Sequence, residues 1–273
     1  MRRPPVEERL RRPAVMGIVN VTPDSFSDGG LHFHPASAAA AARELAAAGA
    51  AIVDIGGEST RPGAAPVSLD EELRRVVPVL EELGGDVPIS IDTTKAEVAR
   101  RALELGAELV NDVSALRADP ALAGVVADAG AYLCLMHMRG EPGTMQDDPR
   151  YDDVVAEVAA FLEERLGAAV AAGIAEERIC LDPGIGFGKT VAQNLELVRR
   201  LDVLVELGRP VLVGLSRKST FGRVLGDPDA STATTAASVG AAVAAFERGA
   251  TVFRVHDVRE HVEALTVAAA VSA

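Results

Sequence analysis

The feature that most constrains the fold is a regular alternation of short β-type runs with helical patterns along the whole chain. Eight runs rich in Val, Ile and Leu are predicted strands, near residues 14–19, 51–55, 88–92, 107–111, 131–136, 178–182, 210–215 and 251–255. Predicted helices follow them near residues 36–48, 69–83, 95–105, 120–129, 151–172, 191–207, 231–248 and 258–271. Eight βα units match a (β/α)8 TIM barrel, and the alternative is a doubly wound sheet of eight strands. The alternation therefore predicts an α/β fold, with the TIM barrel preferred.

Length and composition agree with one barrel and a short arm. The chain has 273 residues, of which 48% are hydrophobic, and a barrel of this kind takes about 250 residues. Residues 1–13 are predicted to form a basic N-terminal arm, because five of the first twelve residues are arginine. Residues 14–273 are predicted to form a single domain. Since chain termini are commonly exposed, we expect the arm to be solvated.

Charge and cysteine content narrow the function classes. The net charge of −13 disfavours nucleic acid and anionic membrane surfaces as partners. No apolar run reaches 18 residues, and the N-terminus lacks the apolar stretch of a signal peptide. The two cysteines, Cys134 and Cys180, lie in predicted buried strands, so a disulfide framework is not expected. These features predict a cytoplasmic protein without a membrane partner.

Polar residues stand at the predicted C-terminal ends of all eight strands. They are Asn20, Asp54, Asp92, Asn111, Asp112, His137, Asp182, Lys218, Arg254 and His256. The opposite strand ends are hydrophobic, as at Val15, Ile52 and Val211. Because the C-terminal face of a TIM barrel carries the chemistry, the pattern predicts one polar mouth with several carboxylates, amides and cations. For His137 a structural role is preferred over a ligand role.

A glycine-rich turn over residues 179–190 invites comparison with nucleotide-binding loops. A Walker A loop needs glycine where this chain has Pro183, and the spacing G-x-G-x-G differs from the Rossmann G-x-G-x-x-G. A P-loop nucleotidase is therefore excluded. What remains is a strand that ends in a carboxylate, Asp182, followed by backbone that can approach a flat ligand closely.

Two long polar loops follow the first two predicted strands, at residues 20–30 and 56–64. Glycine-bearing βα-loops of this length are typical of loops that cover a binding site. The run 16–30, MGIVNVTPDSFSDGG, and the run 54–64, DIGGESTRPGA, resemble the two signature sequences of dihydropteroate synthases. Further matches follow in family order: SIDTTKAEVA (90–99), NDVSAL (111–116), LMHMRGEPGTMQ (135–146), LDPGIGFGKT (181–190) with Asn194, VGLSRKS (213–219) and RVHDV (254–258). The resemblance covers nearly the whole chain from about residue 14.

The resemblance implies a pterin-binding TIM barrel that joins 6-hydroxymethyl-7,8-dihydropterin diphosphate to p-aminobenzoate and releases diphosphate, in folate synthesis. It implies that the pterin contacts Asp92, Asn111, Met136, Asp182, Phe187 and Lys218. Carboxylates and amides suit this ligand, because the pterin edge is rich in N–H donors that need partners in a dry pocket. For Met136 and Phe187, plain core packing is an equal alternative.

By the same resemblance, the diphosphate contacts Asn20, Thr60, Arg61, Arg254 and His256. Arg254 and His256 are two residues apart on a predicted strand, so their side chains can share one face. Asn20 is implied to be a ligand of a Mg²⁺ cofactor together with diphosphate oxygens, which suits the preference of Mg²⁺ for oxygen ligands. The catalytic residues implied are Asp92, Lys218, Arg254 and His256.

The p-aminobenzoate contacts implied are Phe26, Thr60, Pro62, Phe187, Lys218 and Ser219, with Phe33 as an alternative to Phe26. The partners implied are the two small-molecule substrates and a second copy of the chain, as a homodimer. Two other functions stay open at this point: the pterin-binding domain of a corrinoid methyltransferase, and a catalytically silent pterin-binding homologue. The intact cationic segments near Lys218 and Arg254, with both signature loops, favour the synthase.

Overall fold

The computed structural model describes residues 5–10, 13–22, 34–59, 66–140 and 143–272 of the chain. Its strands are β1 (Ala14–Asn20), β2 (Ile52–Gly56), β3 (Ile89–Asp92), β4 (Leu109–Asp112), β5 (Tyr132–Met136), β6 (Ile179–Asp182), β7 (Leu212–Val213) and β8 (Val252–Val255). Its helices are α1 (Val6–Arg9), α2 (Pro35–Ala47), α3 (Leu69–Leu83), α4 (Ala96–Glu104), α5 (Leu122–Ala129), α6 (Val154–Ala171), α7 (Val191–Arg199), α8 (Asp202–Val205), α9 (Ser219–Val224), α10 (Thr235–Phe246) and α11 (Val258–Ser272). A 3-10 turn, Glu176–Arg178, precedes β6.

The strands form one parallel sheet in the order β6-β5-β4-β3-β2-β1-β8-β7. A parallel bridge between Leu181 and Val211 joins the two outer strands, β6 and β7, and Leu181 N donates to Pro210 O at 2.9 Å beside it. The sheet therefore closes on itself, which confirms the TIM barrel and not the open doubly wound sheet.

Alternation along each strand sorts the side chains into two layers. The outward-facing aliphatic residues, such as Val53, Ile55 and Ile91, belong to the large core between the sheet and the helices. The inward-facing residues of the lower barrel form a second apolar cluster, which includes Met16, Cys134 and Cys180. Polar side chains replace this cluster toward the C-terminal end of the barrel, and they form the candidate site described below.

Helix α1 lies at the N-terminal end of the barrel, where it covers the lower interior cluster. Val6 is 9% exposed and Leu10 is 1% exposed, and both pack with barrel residues such as Met16. Arg9 extends this attachment, since its Nη1 donates to Ala51 O at 2.7 Å and its Nη2 pairs with Glu108. The expectation of a solvated arm is therefore wrong for residues 5–10, because two apolar side chains and one cation tie them to the barrel.

The predicted elements differ from the observed ones mainly in the second half of the chain. The predicted helix 191–207 is divided into α7 and α8, and the short helix α9 follows β7 without having been predicted. The predicted strand 210–215 is reduced to the two residues of β7. Pro210 has no N–H to donate, so it cannot add a ladder hydrogen bond at the start of the strand. None of the helices within the described ranges combines the length and the apolar character needed to cross a membrane.

Candidate active site

A buried ion pair network fills the upper barrel interior, and Asp54 of β2 is its centre. Arg254 of β8 donates from Nε to Asp54 Oδ2 at 2.6 Å and from Nη2 to Asp92 Oδ2 at 2.7 Å. Asn111 Nδ2 donates to Asp54 Oδ2 at 3.0 Å, and Ser90 Oγ donates to Asp54 Oδ1 at 2.5 Å. Four strands thus fix the side chains at the floor of the mouth relative to one another.

Burial decides the electrostatics of this floor. Burial raises the pKa of Asp92 to about 7, although Arg254 opposes the shift, and Asp54 adds to it. Burial also disfavours the charged form of Arg254, but Asp54 and Asp92 outweigh that effect and hold its pKa above the usual value. The guanidinium therefore stays charged, while Asp92 can change its charge near neutral pH.

A glycine on the neighbouring strand, Gly56, leaves space for the side chain of Asp92. Gly56 of β2 is in register with Asp92 of β3, and a Cβ at Gly56 would stand 3.3 Å from the Cβ of Asp92. That distance is closer than ordinary van der Waals contact, so a larger residue at position 56 would press on the carboxylate.

Asp182 ends β6 and begins the glycine-rich loop. Its Oδ1 accepts from Gly184 N at 2.7 Å, which fixes the carboxylate and the first turn of the loop together. Burial raises the pKa of Asp182 to about 6, against the opposing effects of the Gly184 N–H and of Lys218. Asp182 is therefore a second acceptor at the mouth whose charge depends on pH in the neutral range.

Lys218 and Phe187 form one wall of the mouth. The Nζ of Lys218 lies 4.3 Å from the centre of the Phe187 ring, which is a cation–π contact. Phe187 also packs on a small apolar cluster of Val113, Met136 and their neighbours. Met136 is in register with Asp182 at the end of β5. The structure thus places Met136 and Phe187 beside the polar floor, away from the main core.

Three further predicted residues lie around the same mouth. His256 follows β8, and its Nδ1 is 3.2 Å from the Oγ of Ser216. Ser219 begins α9 directly after Lys218, and Asn20 ends β1, where it is in register with Gly56. Each of them therefore occupies the C-terminal end of its strand or the loop that follows, as predicted.

Some predicted residues and one strand end fall elsewhere. Phe26, Phe33, Thr60, Arg61 and Pro62 lie outside the described residues, so their predicted contacts stay predictions. Asp112 faces away from the mouth, because it follows Asn111 on β4 and neighbours alternate. Its carboxylate accepts from the backbone N–H groups of Ser114 and Leu116 instead.

Sequence reasoning missed Asp54 and Ser90 as site residues, although Asp54 stood among the polar strand ends. The signal that could have found Asp54 is its spacing of two residues from Ile52 and from Gly56. Residues two apart lie on one face of a strand, and the apolar Val53 and Ile55 take the other face, so Asp54 points into the barrel. Ser90 lies two residues before Asp92 on β3, so its side chain also points into the barrel. A carboxylate inside a barrel needs partners, so the pattern could have predicted a network below the mouth.

The same mouth has few groups for a metal ion. Within the described ranges, no three His, Cys, Asp or Glu side chains lie together in a way that could hold a metal. Asn20 supplies one amide oxygen at the rim. The donor set therefore fits a magnesium ion that takes most of its ligands from substrate oxygens and water, and it does not fit a metal enclosed by protein ligands alone.

Comparison with known proteins decides the family. The family model described as "Pterin binding enzyme" matches residues 16–256. The dihydropteroate synthase of Escherichia coli K12 is 48% identical over 260 residues, which cover 94% of this chain and 91% of that protein. The chain belongs to the dihydropteroate synthase family.

Solved structures of family members agree with this assignment. The Xanthomonas albilineans dihydropteroate synthase with 4-aminobenzoic acid is 53% identical, with a TM-score of 0.88 over 97% of this chain and 94% of that chain. The same enzyme in complex with 7,8-dihydropteroate is 50% identical, with a TM-score of 0.85 over 97% and 95%. These similarities favour the synthase over a corrinoid methyltransferase domain and over a silent homologue.

Proposed function

We propose that this chain is a transferase that condenses 6-hydroxymethyl-7,8-dihydropterin diphosphate with p-aminobenzoate to give 7,8-dihydropteroate and diphosphate. The carbon–oxygen bond of the pterin methylene breaks, a carbon–nitrogen bond to the aniline forms, and the aniline loses one proton to solvent or diphosphate. The observation that carries the proposal is the floor of the mouth. There Asp92, Asn111 and Asp182 collect hydrogen-bonding groups beside the cations Lys218 and Arg254. The proposed substrates are those of the dihydropteroate synthase family, to which the chain belongs.

The pterin would lie on this floor. Its amino-pyrimidinone edge presents N–H donors, and the buried oxygens of Asp92, Asn111 and Asp182 are suited to accept them. A donor buried without a partner costs about 1–3 kcal/mol, so each acceptor contributes to discrimination. Met136 and Phe187 supply the apolar contacts, and Lys218 would donate to acceptor atoms of the ring.

The diphosphate would lie near Arg254 and His256 at the end of β8. Arg254 uses Nε and Nη2 for Asp54 and Asp92, which leaves Nη1 for an anion. Asn20, Thr60 and Arg61 are the further diphosphate contacts that we propose. Asn20 would also hold Mg²⁺, which when bound stabilises charge on the departing oxygens.

The p-aminobenzoate would lie against the wall formed by Phe187 and Lys218, with Ser219 beside them. Phe26, Thr60 and Pro62 are the contacts that we propose from the two long loops. No strong base is required, because an aromatic amine is neutral at pH 7 and already nucleophilic. Asp92 would instead stabilise positive charge on the pterin after the diphosphate departs, and Lys218 and Arg254 would orient the two reactants.

The cellular setting is part of the same proposal. We propose a cytoplasmic homodimer whose barrel domain comprises residues 14–273, with residues 1–13 as an attached arm. Sedimentation measurements over a range of protein concentrations would test the dimer.

The deciding experiment measures diphosphate release with both substrates, with each alone, and with the pterin alcohol in place of its diphosphate. We expect release that needs both substrates, together with formation of dihydropteroate. Asp182→Asn should abolish it. Asp152→Asn, which changes an exposed carboxylate, is the matched control and should be active. Release that does not depend on p-aminobenzoate would contradict the proposal.

A further inference from the structure

Lys189 is a buried cation that the proposed chemistry does not use. Its side chain follows the glycine-rich loop, and the residue is 3% exposed. Its Nζ lies 3.0 Å from His137 Nδ1, 3.0 Å from Gly184 O and 2.9 Å from Phe187 O. An ammonium group has three donors, so each of them has an acceptor within hydrogen-bonding distance.

His137 completes this arrangement as an acceptor. Burial, and after it the neighbouring charge of Lys189, lower the pKa of His137 to about 3. The imidazole is therefore neutral, and its Nδ1 accepts from Lys189 while Nε2 carries the proton. The ring is fixed in place by an edge-to-face contact with Phe161, at 4.9 Å between ring centres.

The three acceptors belong to two different segments of the chain. His137 follows β5, whereas Gly184 and Phe187 belong to the loop that follows β6. The loop lies so close to β5 that a Cβ at Gly184 would overlap His137 O. Lys189 thus joins the turn of one loop to the end of the neighbouring strand, just beyond the backbone hydrogen bond from His137 N to Asp182 O at 2.9 Å.

The loop that Lys189 holds forms part of the mouth. Phe187 contacts Lys218 through its ring. A Cβ at Gly186 would stand 3.2 Å from Lys218 Cδ, so Lys218 lies directly across the loop. Gly186 N also donates to Asn194 Oδ1 at 2.8 Å, which holds the loop from the opposite side. A shift of this backbone would move Phe187 and Lys218 together.

We propose that Lys189 is a positioning residue of this enzyme, whose ammonium holds the 184–187 loop against the end of β5 and so sets the wall that Phe187 and Lys218 present to substrate. The inference rests on the proposed function, because it assigns a role in the same site. Hydrogen bonding to neutral acceptors is what distinguishes this lysine. Its hydrogen bonds go to the backbone carbonyls of Gly184 and Phe187 and to a neutral imidazole, with a longer contact of 3.5 Å to His137 O. The cation therefore holds backbone groups in place. Burial lowers the pKa of Lys189 to about 7, and Asp182 limits the shift while Lys218 adds to it.

The first test compares Lys189→Met with the parent enzyme. Methionine keeps much of the volume and removes all three donors. We expect KM for p-aminobenzoate to rise about tenfold or more, because the wall that binds it has moved. We expect kcat to fall less than about threefold, because Asp92 and Arg254 lie on other strands and keep their contacts. Thr190→Ala is the matched control. It removes the N-cap of α7, where Thr190 Oγ1 accepts from Gln193 N, and leaves the loop carbonyls untouched.

A double-mutant cycle separates positioning from loss of stability. If Lys189 acts through the loop, the effects of Lys189→Met and Phe187→Leu on KM are not additive, because both changes alter one wall. Additive effects would overturn the inference. So would equal kinetic changes in Lys189→Met and Thr190→Ala at matched melting temperatures. A parent enzyme without synthase activity would instead contradict the proposed function.

Hydrogen exchange on the unmodified protein gives a readout that does not need activity or a stable variant. As pH rises through about 7, Lys189 loses one donor. Amides of residues 184–188 should then exchange faster, relative to their intrinsic rates, than those of residues 212–213. The facing groups are Asp182, Lys218, His137, Arg139 and Tyr151. Tyr151 stays neutral in this range because burial raises its pKa to about 12, and its hydroxyl continues to donate to Gly188 O. Equal pH dependence in both segments would overturn the inference.

Discussion

Arg254 donates from Nε to Asp54 at 2.6 Å, across 200 residues of sequence and from one side of the β1 strand to the other. Asp54 has no exposed surface, and an isolated buried carboxylate is strongly disfavoured. The same guanidinium holds Asp92. Arg254 therefore serves the fold and the proposed anion site at once, and a change at this position should have both consequences.

Arg254→Met should lower the free energy of unfolding by about 3–5 kcal/mol, because it leaves Asp54 and Asp92 buried without their cation. Urea unfolding at pH 7.5 measures this loss. Arg217→Met is the matched control. It removes a surface pair with Asp257 in which the Arg217 side chain is 50% exposed, and it should cost less than about 1 kcal/mol. Adding Asp54→Asn to Arg254→Met should recover part of the loss. Equal losses for Arg254→Met and Arg217→Met would contradict this account.

Asp182→Asn should change the pH dependence of stability in a definite direction. The folded pKa of Asp182 is raised to about 6 from 3.8, so the folded protein binds this proton more tightly than the unfolded chain does. The resulting stabilisation is fully present below about pH 4 and is lost as pH rises through about 6. Relative to the parent protein, Asp182→Asn should thus gain on the order of 2–3 kcal/mol between pH 4 and pH 7. Urea titrations at several pH values measure the difference, and a constant difference would contradict the raised pKa.

The affinity for pterin should depend on the ionisation of the same carboxylates, and it should rise with pH, whereas the stability contributed by Asp182 falls. Ionised Asp92 and Asp182 accept hydrogen bonds from ring N–H groups, so affinity for a pterin without diphosphate should rise between about pH 5.5 and pH 8. Calorimetry at a series of pH values measures it. Asp182→Ala should remove binding almost completely, whereas Asp152→Asn should keep both the affinity and its pH dependence. An affinity that falls over this range would exclude the ionised forms as acceptors.

Gly184→Ala should be more damaging than Gly85→Ala, although both glycines have positive φ. The φ values are 65° at Gly184 and 82° at Gly85. A Cβ at Gly184 overlaps His137 O, whereas a Cβ at Gly85 meets nothing within 4 Å. Gly85→Ala isolates the backbone strain, about 1–2 kcal/mol. Gly184→Ala adds a clash of about 1–3 kcal/mol. It should also weaken p-aminobenzoate binding. Thermal unfolding and calorimetry compare the two variants. Equal losses of stability would mean that the loop can move to accommodate the added methyl group without a free-energy penalty.

Leu10→Ala should cost about 2–5 kcal/mol, because the residue is 1% exposed beneath the barrel. Leu69→Ala, at a position that is 38% exposed, is a suitable comparison and should cost far less. Chemical unfolding measures both. If Leu10→Ala leaves the free energy of unfolding nearly unchanged, the arm is solvated, as its charge suggests, and is not attached to the barrel.

The sequence predicted the barrel because eight apolar runs with matching helices allow few arrangements. It also predicted that Asn20, Asp92 and Asp182 end their strands, and each of them does. The end of a strand is not sufficient by itself, because neighbouring residues alternate and Asp112, the last residue of β4, faces away from the mouth. The network at Asp54 could not be predicted with the same ease. Which cation meets a buried carboxylate depends on contacts between strands that are far apart in sequence, here β2 and β8.

The attachment of the arm and the buried contacts of Lys189 were missed for different reasons. Val6 and Leu10 are two apolar residues among charges, and too few to form a periodic pattern. Lys189 lies in a motif that resembles a nucleotide loop, and sequence alone gives no indication that its ammonium points inward to backbone carbonyls. Side-chain direction in a glycine-rich turn depends on positive φ values that many sequences permit.

The bridge between Leu181 and Val211 also bears on how the enzyme acquires its activity. The two chain segments that meet there lead directly into Asp182 on one side and, after β7, into Lys218 on the other. β7 contributes only two residues to the sheet, so few backbone hydrogen bonds close the ring at this junction. Asp182 and Lys218 therefore lie on opposite sides of the junction at which the ring closes. If ring closure is the last step of folding, synthase activity during refolding should appear together with protection of the Leu181 amide from hydrogen exchange, and activity that precedes this protection would contradict that order.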